Sequence, residues 1–189
     1  MQPAGRDLLA ALAAVLNRWG RWYLFGAQAV VAHGVPRLSA DVDVTLGLVP
    51  DEPERFVRDM EAAGFALAVK DPDFVRETRV MPFVHTATAM PLDVVFAGSG
   101  LEDEFFQRVK TTDIGGVPVP LIDVADLVIA KILAGRPKDI EDARNLWRLH
   151  GPAVDHRRIR RLLRSLEAAL DRSDLVSGFE TMRRANRPR

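Results

Sequence analysis

Arg37-Leu38-Ser39-Ala40-Asp41-Val42-Asp43-Val44-Thr45-Leu46 decides how the chain folds. Val42, Val44 and Leu46 alternate with Asp41, Asp43 and Thr45, the period of a strand with one apolar and one polar face. Both carboxylates therefore point the same way, about 6 to 7 Å apart by the rise of a strand. Two such charges repel unless water or a cation separates them. Convergent oxygen donors suit Mg²⁺, which takes one or two carboxylates plus substrate phosphates and keeps several waters. The plainer reading of an isolated Asp-x-Asp is a pair facing water on an edge strand.

The stretches on either side bear on that choice. Upstream, Trp22-Tyr23-Leu24-Phe25 reads as a strand and Gly26 to His33 as a helix stopped by Gly34, with Pro36 beyond. A glycine at a helix entry lets backbone N–H groups approach a phosphate. Downstream, Asp93 sits inside Leu92-Asp93-Val94-Val95-Phe96, where a lone charge costs several kcal/mol unless it is paired or metal-bound.

The remaining patterns fill in an organisation. Leu8, Leu9, Leu12, Val15, Leu16 and Trp19 predict an amphipathic helix over 7–19, ended by Gly20. Asp51 to Ala63 reads as a helix with Pro53 in its first turn. Strands are expected at 65–69, about 74–84 (interrupted by Pro82) and 91–96, a short helix over Glu102 to Val109, and an extended connector over Gly115 to Pro120. From Asp123 onward the composition is helical. The break near residue 121 separates an α/β part, 1–121, from a helical part, 122–189.

A chain of 189 residues fits one compact domain with at most a small appendage. Its 26 basic and 26 acidic residues exclude a uniformly basic nucleic-acid coat. The balance is local, however: residues 151–189 hold ten arginines and no lysine against five carboxylates, so the first 150 residues carry the matching acidic excess. The absence of cysteine excludes thiolate metal clusters and cysteine nucleophiles. No signal-peptide pattern opens the chain and no apolar run reaches the roughly 18 residues of a membrane span, so the expectation is a soluble cytoplasmic protein without a membrane partner. His33, His85, His150 and His156 fall at no ligand spacing. His156 to Arg164 reads as an amphipathic helix whose basic face is either solvated or a strip for RNA phosphates.

Phe25-Gly26-Ala27, Arg37-Leu-Ser39-Ala-Asp41-Val-Asp43-Val44 and Leu92-Asp93-Val94-Val95, in this order and spacing, resemble the minimal nucleotidyltransferase family. The Arg-x-Ser-x-Asp-x-Asp form is similar to the branch that includes AbiEii-type toxins. Val119 to Lys131, followed by Gly135-Arg-Pro-Lys-Asp139-Ile-Glu-Asp142, is similar to that branch's helical half, so the resemblance covers roughly residues 20–150. It implies a polymerase β-like mixed sheet flanked by helices, with a C-terminal helical part. It further implies NTP as substrate, Mg²⁺ or Mn²⁺ held by Asp41, Asp43 and Asp93, and a tRNA or small-molecule acceptor. Nucleotide contacts would come from Gly26, Ala27, Arg37, Ser39, Lys131 and Asp139, with Lys131 also catalytic, and a toxin would have an antitoxin protein as partner.

Ala27 departs from the family's more usual Gly or Ser and removes a hydroxyl that would reach phosphates. Lys131 lies mid-stripe in an otherwise apolar helix, so it either snorkels or reaches a carboxylate or phosphate. For Asp139 and Asp142, helix capping and pairing with Arg136 or Lys138 compete with a functional role. Two other functions compete: a degenerate domain that keeps the fold only to bind, and a phosphohydrolase using Asp41-Val-Asp43-Val-Thr45 as an Asp-x-Asp-x-Thr nucleophile. The latter motif should directly follow a buried strand.

Overall fold

A computed structural model describes residues 3–47, 49–69, 71–98 and 100–185. Among these, α1 (Pro3–Trp19), β1 (Trp22–Phe25), α2 (Gly26–Ala32), β2 (Val42–Leu46), α3 (Pro53–Ala62) and β3 (Phe65–Leu67) come first. Next are α4 (Pro72–Thr78), β4 (Val80–His85), β5 (Met90–Phe96), α5 (Leu101–Phe106), β6 (Lys110–Asp113) and β7 (Pro118–Leu121). Then follow α6 (Val124–Ala134), α7 (Pro137–His150), a 3₁₀ turn over Gly151–Ala153, α8 (His156–Leu170) and α9 (Leu175–Ala185). None of these helices is long and apolar enough to cross a membrane.

The chain forms two compact units. The first runs through Ala29 and resumes over Leu38–Ile122; the second is Val30–Arg37 with the chain from Asp123 onward. In the first, seven strands make one mixed sheet in the order β3-β4-β5-β2-β1-β7-β6. β2 lies antiparallel to β1 and parallel to β5, so the central strand is the Val42–Leu46 run. Its register puts Val42, Val44 and Leu46 beside Leu92, Val94 and Phe96, all fully or nearly buried. That apolar face is centred on Phe56 of α3, whose ring meets Trp19, Phe83 and Phe96 edge-on at 5.1 to 6.2 Å. The opposite face carries Asp43 and Asp93.

Three local readings are corrected. Residues 74–78, expected as strand, are helical in α4. Asp71 caps it by accepting from the Asp73 N–H, Pro72 sits in its first turn, and Arg79 at φ 58° closes it with a bond to the Val75 carbonyl. Apolar Phe74 and Val75 had imitated a strand. The helix expected to reach Val109 stops at Phe106, and Lys110–Asp113 pairs with β7 instead. The Gly115–Pro120 connector itself enters the sheet at Pro118. Two prolines are tolerated in this interior strand because β1 flanks β7 only at Leu121. Ile122 donates to the Leu24 carbonyl, and by alternation Pro118 and Pro120 turn their missing N–H to this same, sparsely paired side.

In the second unit α6 is apolar almost all round and forms the centre, with Leu127, Val128, Ile129 and Ile132 buried. Trp147 of α7 meets Phe179 of α9 edge-on at 5.4 Å. One arginine of the expected basic strip joins this core: Arg158 is 6% exposed and donates to Asp126, which is 0% exposed. A buried pair of this kind is costly to break and cheap to replace. Asp126→Ala is therefore expected to cost about 3 to 5 kcal/mol, and Asp126→Leu combined with Arg158→Met to recover most of that. Urea denaturation of both decides; a double variant as unstable as Asp126→Ala would refute it.

Candidate active site

The carboxylates of the first unit are set by register. Phe25 of β1 stands opposite Asp43 of β2, Asp43 is level with Asp93 of β5, and Asp93 faces Pro82 of β4. One row across four strands thus reads Phe25, Asp43, Asp93, Pro82, all partly exposed. Neighbouring strands are about 4.8 Å apart, so two like charges lie side by side in an arrangement that is destabilising without compensation. Asp41 lies one residue before β2 rather than within it. Its carboxylate is oriented by Ser39, whose hydroxyl donates to the Asp41 carbonyl at 2.9 Å and Oδ1 at 3.3 Å. The Asp93 carboxyl is held above its ordinary pKa, first by burial and second by the negative charge of Asp41.

Gly26 makes the packing at the row possible. At φ +65°, it presents its bare α-carbon to Asp43: a Cβ there would fall 1.8 Å from Asp43 Oδ2. The space freed by the missing side chain is filled by Asp43 itself. Ala27 beside it is buried, with no hydroxyl to offer. Among the described residues, no three carboxylate or imidazole groups converge enough to enclose a metal ion alone. The donor set accordingly fits a cation that takes one or two carboxylates and completes its shell with water and phosphate oxygens, as Mg²⁺ does. A separate hollow of about 740 Å³, lined by Val57, Leu67, Val75, Met81 and Phe96 among others, opens on the sheet's other face, so it is no part of this row.

The second unit gathers the other candidates into one line of charges. Lys131, 6% exposed on α6, donates to Asp139 Oδ1 at 2.9 Å and lies 2.8 Å from Asp142 Oδ2, both on α7. Asp142 also accepts from Arg37, and Asp139 from Arg136. Gly135, at φ +68°, ends α6, and Pro137 opens α7 two residues later; this tight corner brings Lys131 and Asp139 together. Burial pushes the Asp139 carboxyl up, but the bonds from Arg136 and Lys131 outweigh it and hold it below the usual carboxylate range. Lys131 therefore reaches carboxylates. Of the pairings expected for Asp139 and Asp142, Arg136–Asp139 is present; Asp142 instead meets Lys131 and Arg37, a link across 105 residues that no local pattern announces.

On α8, Arg157, Arg161 and Arg164 remain exposed at helical spacing, while Arg160 pairs with Glu180 and Arg158 is buried. Two histidine rings bond within the fold: His85 Nδ1 is 2.8 Å from Thr88 Oγ1, and His150 Nε2 is 2.7 Å from the His33 carbonyl oxygen. Residues 35–41 contain no strand, so an Asp-x-Asp-x-Thr nucleophile lacks the buried strand that should precede it.

A family described as "Nucleotidyltransferase of unknown function (DUF6036)" has a model that matches residues 17–166. Among solved structures, the chain is similar to the antibiotic-resistance factor ANT(2'')-Ia in complex with adenylyl-2''-tobramycin. The two are 16% identical over 88% of this chain and 99% of that one, with a TM-score of 0.59. It is also similar to the lincomycin-bound lincosamide antibiotic adenylyltransferase LnuA (15%, 75% and 94%, TM-score 0.50). A third likeness is to an antigenic nucleotidyltransferase-like protein from Paracoccidioides brasiliensis (17%, 92% and 91%, TM-score 0.56). At these identities the likeness is one of fold: a polymerase β-like mixed sheet flanked by helices, with a helical C-terminal part. No curated protein matches.

Two outcomes follow from the row. Gly26→Ala, which adds a side chain in the left-handed region and onto Asp43, is expected to cost about 1 to 3 kcal/mol. Adding Asp43→Ala removes the two closest clashes and leaves the Asp43 Cβ at 2.8 Å, so it should recover part of the steric cost; thermal denaturation of the double variant that shows no recovery would refute the packing account. The raised Asp93 pKa means that the fold favours the protonated acid. Stability is then lost as pH rises from the ordinary carboxylate range through Asp93's own pKa. Asp93→Asn should flatten this loss and be at least as stable as the parent at neutral pH; identical urea profiles against pH would sink it.

Proposed function

The chain belongs to this family of nucleotidyltransferases of unknown function, and from that premise we propose that it transfers an NMP from an NTP to a hydroxyl or phosphate acceptor, with Mg²⁺ or Mn²⁺. The observation that carries the reading is the in-register Asp43–Asp93 pair with Asp41 beside it, three carboxylates brought to one end of adjacent strands. Asp41 and Asp43 would hold one metal and Asp93 would complete a second site. The metals' contribution is to neutralise the triphosphate and polarise the reacting phosphoryl group. Ser39 keeps Asp41 oriented, and Gly26 keeps Asp43 close to the turn into α2. Asp93, or a water beside it, would take the acceptor hydroxyl's proton. As the new oxygen–phosphorus bond forms at the α-phosphorus, pyrophosphate leaves. Arg37, four residues before Asp41, is the fork donor to phosphate.

The acceptor has two arms. ANT(2'')-Ia and LnuA, seen with adenylyl-tobramycin and lincomycin, support a small hydroxyl-bearing molecule. The exposed Arg157, Arg161 and Arg164, with the Arg37-x-Ser39-x-Asp41-x-Asp43 form, support tRNA and an AbiEii-type toxin with an antitoxin partner. A non-catalytic binding domain is the second reading, favoured by Ala27.

Incubating the protein with Mg²⁺, each labelled NTP, total tRNA and a panel of aminoglycoside and lincosamide acceptors tests all three. Label transfer is expected, with Asp43→Asn lowering kcat/KM at least about a hundredfold, roughly 2.7 kcal/mol of barrier. An Asp43→Asn variant as active as the parent would overturn the mechanism. No transfer, together with no Asp43-dependent heat from Mg²⁺ and ATP or CTP in calorimetry, would leave the binding domain.

A further inference from the structure

The five charges Arg37, Asp142, Lys131, Asp139 and Arg136 form one alternating line in the second unit. Its middle is buried, with Lys131, Asp139 and Asp142 between 0% and 6% exposed. Its ends reach solvent at Arg37 and, more fully, at Arg136. Lys131 has three donors and spends two of its approaches on carboxylates at 2.8 to 2.9 Å. A cation so enclosed is already neutralised, and its removal would leave two buried carboxylates facing each other. Asp142 is where the line turns outward: one Oδ2 serves both Lys131 and Arg37. Residues 30–37 are thus joined to α7 by a side-chain ion pair, and the chain beyond them runs directly into Ser39 and Asp41.

We infer that Asp142 is a positioning residue that seats Arg37, and that Lys131 works through Asp142 and Arg37, not by touching the substrate's phosphates. Lys131 makes it possible to bury Asp142, Asp142 fixes the Arg37 guanidinium, and Arg37 alone of the three meets the NTP. The inference rests on the nucleotidyl-transfer reading for its last step only. Its first two steps concern the unliganded protein.

The experiment has two arms on full-length protein, with each variant's folding verified by circular dichroism. In the first, trypsin cleavage after Arg37 is followed under native conditions, with cleavage at Arg157 and Arg161 as internal reference. Asp142→Asn, which keeps the shape and loses the charge, should speed cleavage after Arg37 at least about fivefold and leave the reference sites unchanged. Equal rates would overturn the seat. In the second, kcat/KM for the NTP is measured in a cycle of Arg37→Ala, Asp142→Asn and Lys131→Met. Arg37→Ala should lower it about tenfold or more, chiefly through KM. Adding Asp142→Asn or Lys131→Met to Arg37→Ala should lower it little further, because both act through Arg37. Losses that multiply would show Lys131 acting on the substrate directly and overturn the inference. If Lys131→Met does not fold, the Asp142→Asn half of the cycle decides. A parent without transferase activity would sink the nucleotidyl-transfer reading, while the trypsin arm still tests the seat.

Discussion

Carboxylates held side by side by strand register are the constraint on which the first unit is built. Parallel pairing of β2 with β5 leaves no freedom in the matter: once Val44 is level with Val94 on the core face, Asp43 must be level with Asp93 on the other. The apolar face pins the register through Phe56, Leu92, Val94 and Phe96, so core burial holds two like charges together that would otherwise separate. Stability and site are opposed faces of the same strands. The raised Asp93 pKa records its burial in those strands first and the nearby charge of Asp41 second.

The second unit solves the converse problem. It buries charges as well, but each negative group is flanked by positive ones, and Asp139 is correspondingly held ionised. The same kind of side chain therefore titrates in opposite directions in the two units: Asp93 upward, first through burial and then through the charge of Asp41, Asp139 downward because the bonds from Arg136 and Lys131 outweigh its burial. On the nucleotidyl-transfer reading, Asp41, Asp43 and Asp93 are the group to which external charge would be drawn.

Much of this was legible in the sequence because it was written in short periods. Trp22–Phe25 and Val42–Leu46 appear as strands at the residues where alternation and punctuation put them, and Gly26 follows β1 directly. What was not legible depended on partners far away. Phe74 and Val75 are apolar in either a strand or a helix, and the capping by Asp71 and Pro72 decided between them. A strand holding Pro118 and Pro120 makes sense only once its pairing with β1 is seen to be confined to Leu121. Arg158 looked like part of a basic face, and only Asp126, 32 residues away, shows that it belongs to the core. Asp142 was visible as a charge near a helix start, but the partner that gives it meaning is Arg37.

The inclusion of residues 30–37 in the second unit has a consequence for how the protein is made. During synthesis, β1, β2 and the rest of the sheet leave the ribosome first and can pair as soon as their strands are complete. Val30 to Arg37 emerge among them, yet their partner Asp142 follows Arg37 by 105 residues. At about 5 to 20 residues per second this stretch waits some five to twenty seconds for α7. For that interval the loop leading into Asp41 belongs to a nascent chain whose sheet is available but whose Arg37 has no Asp142. The carboxylate row and its anchored approach are therefore completed in separate steps, the second only once α7 has been made.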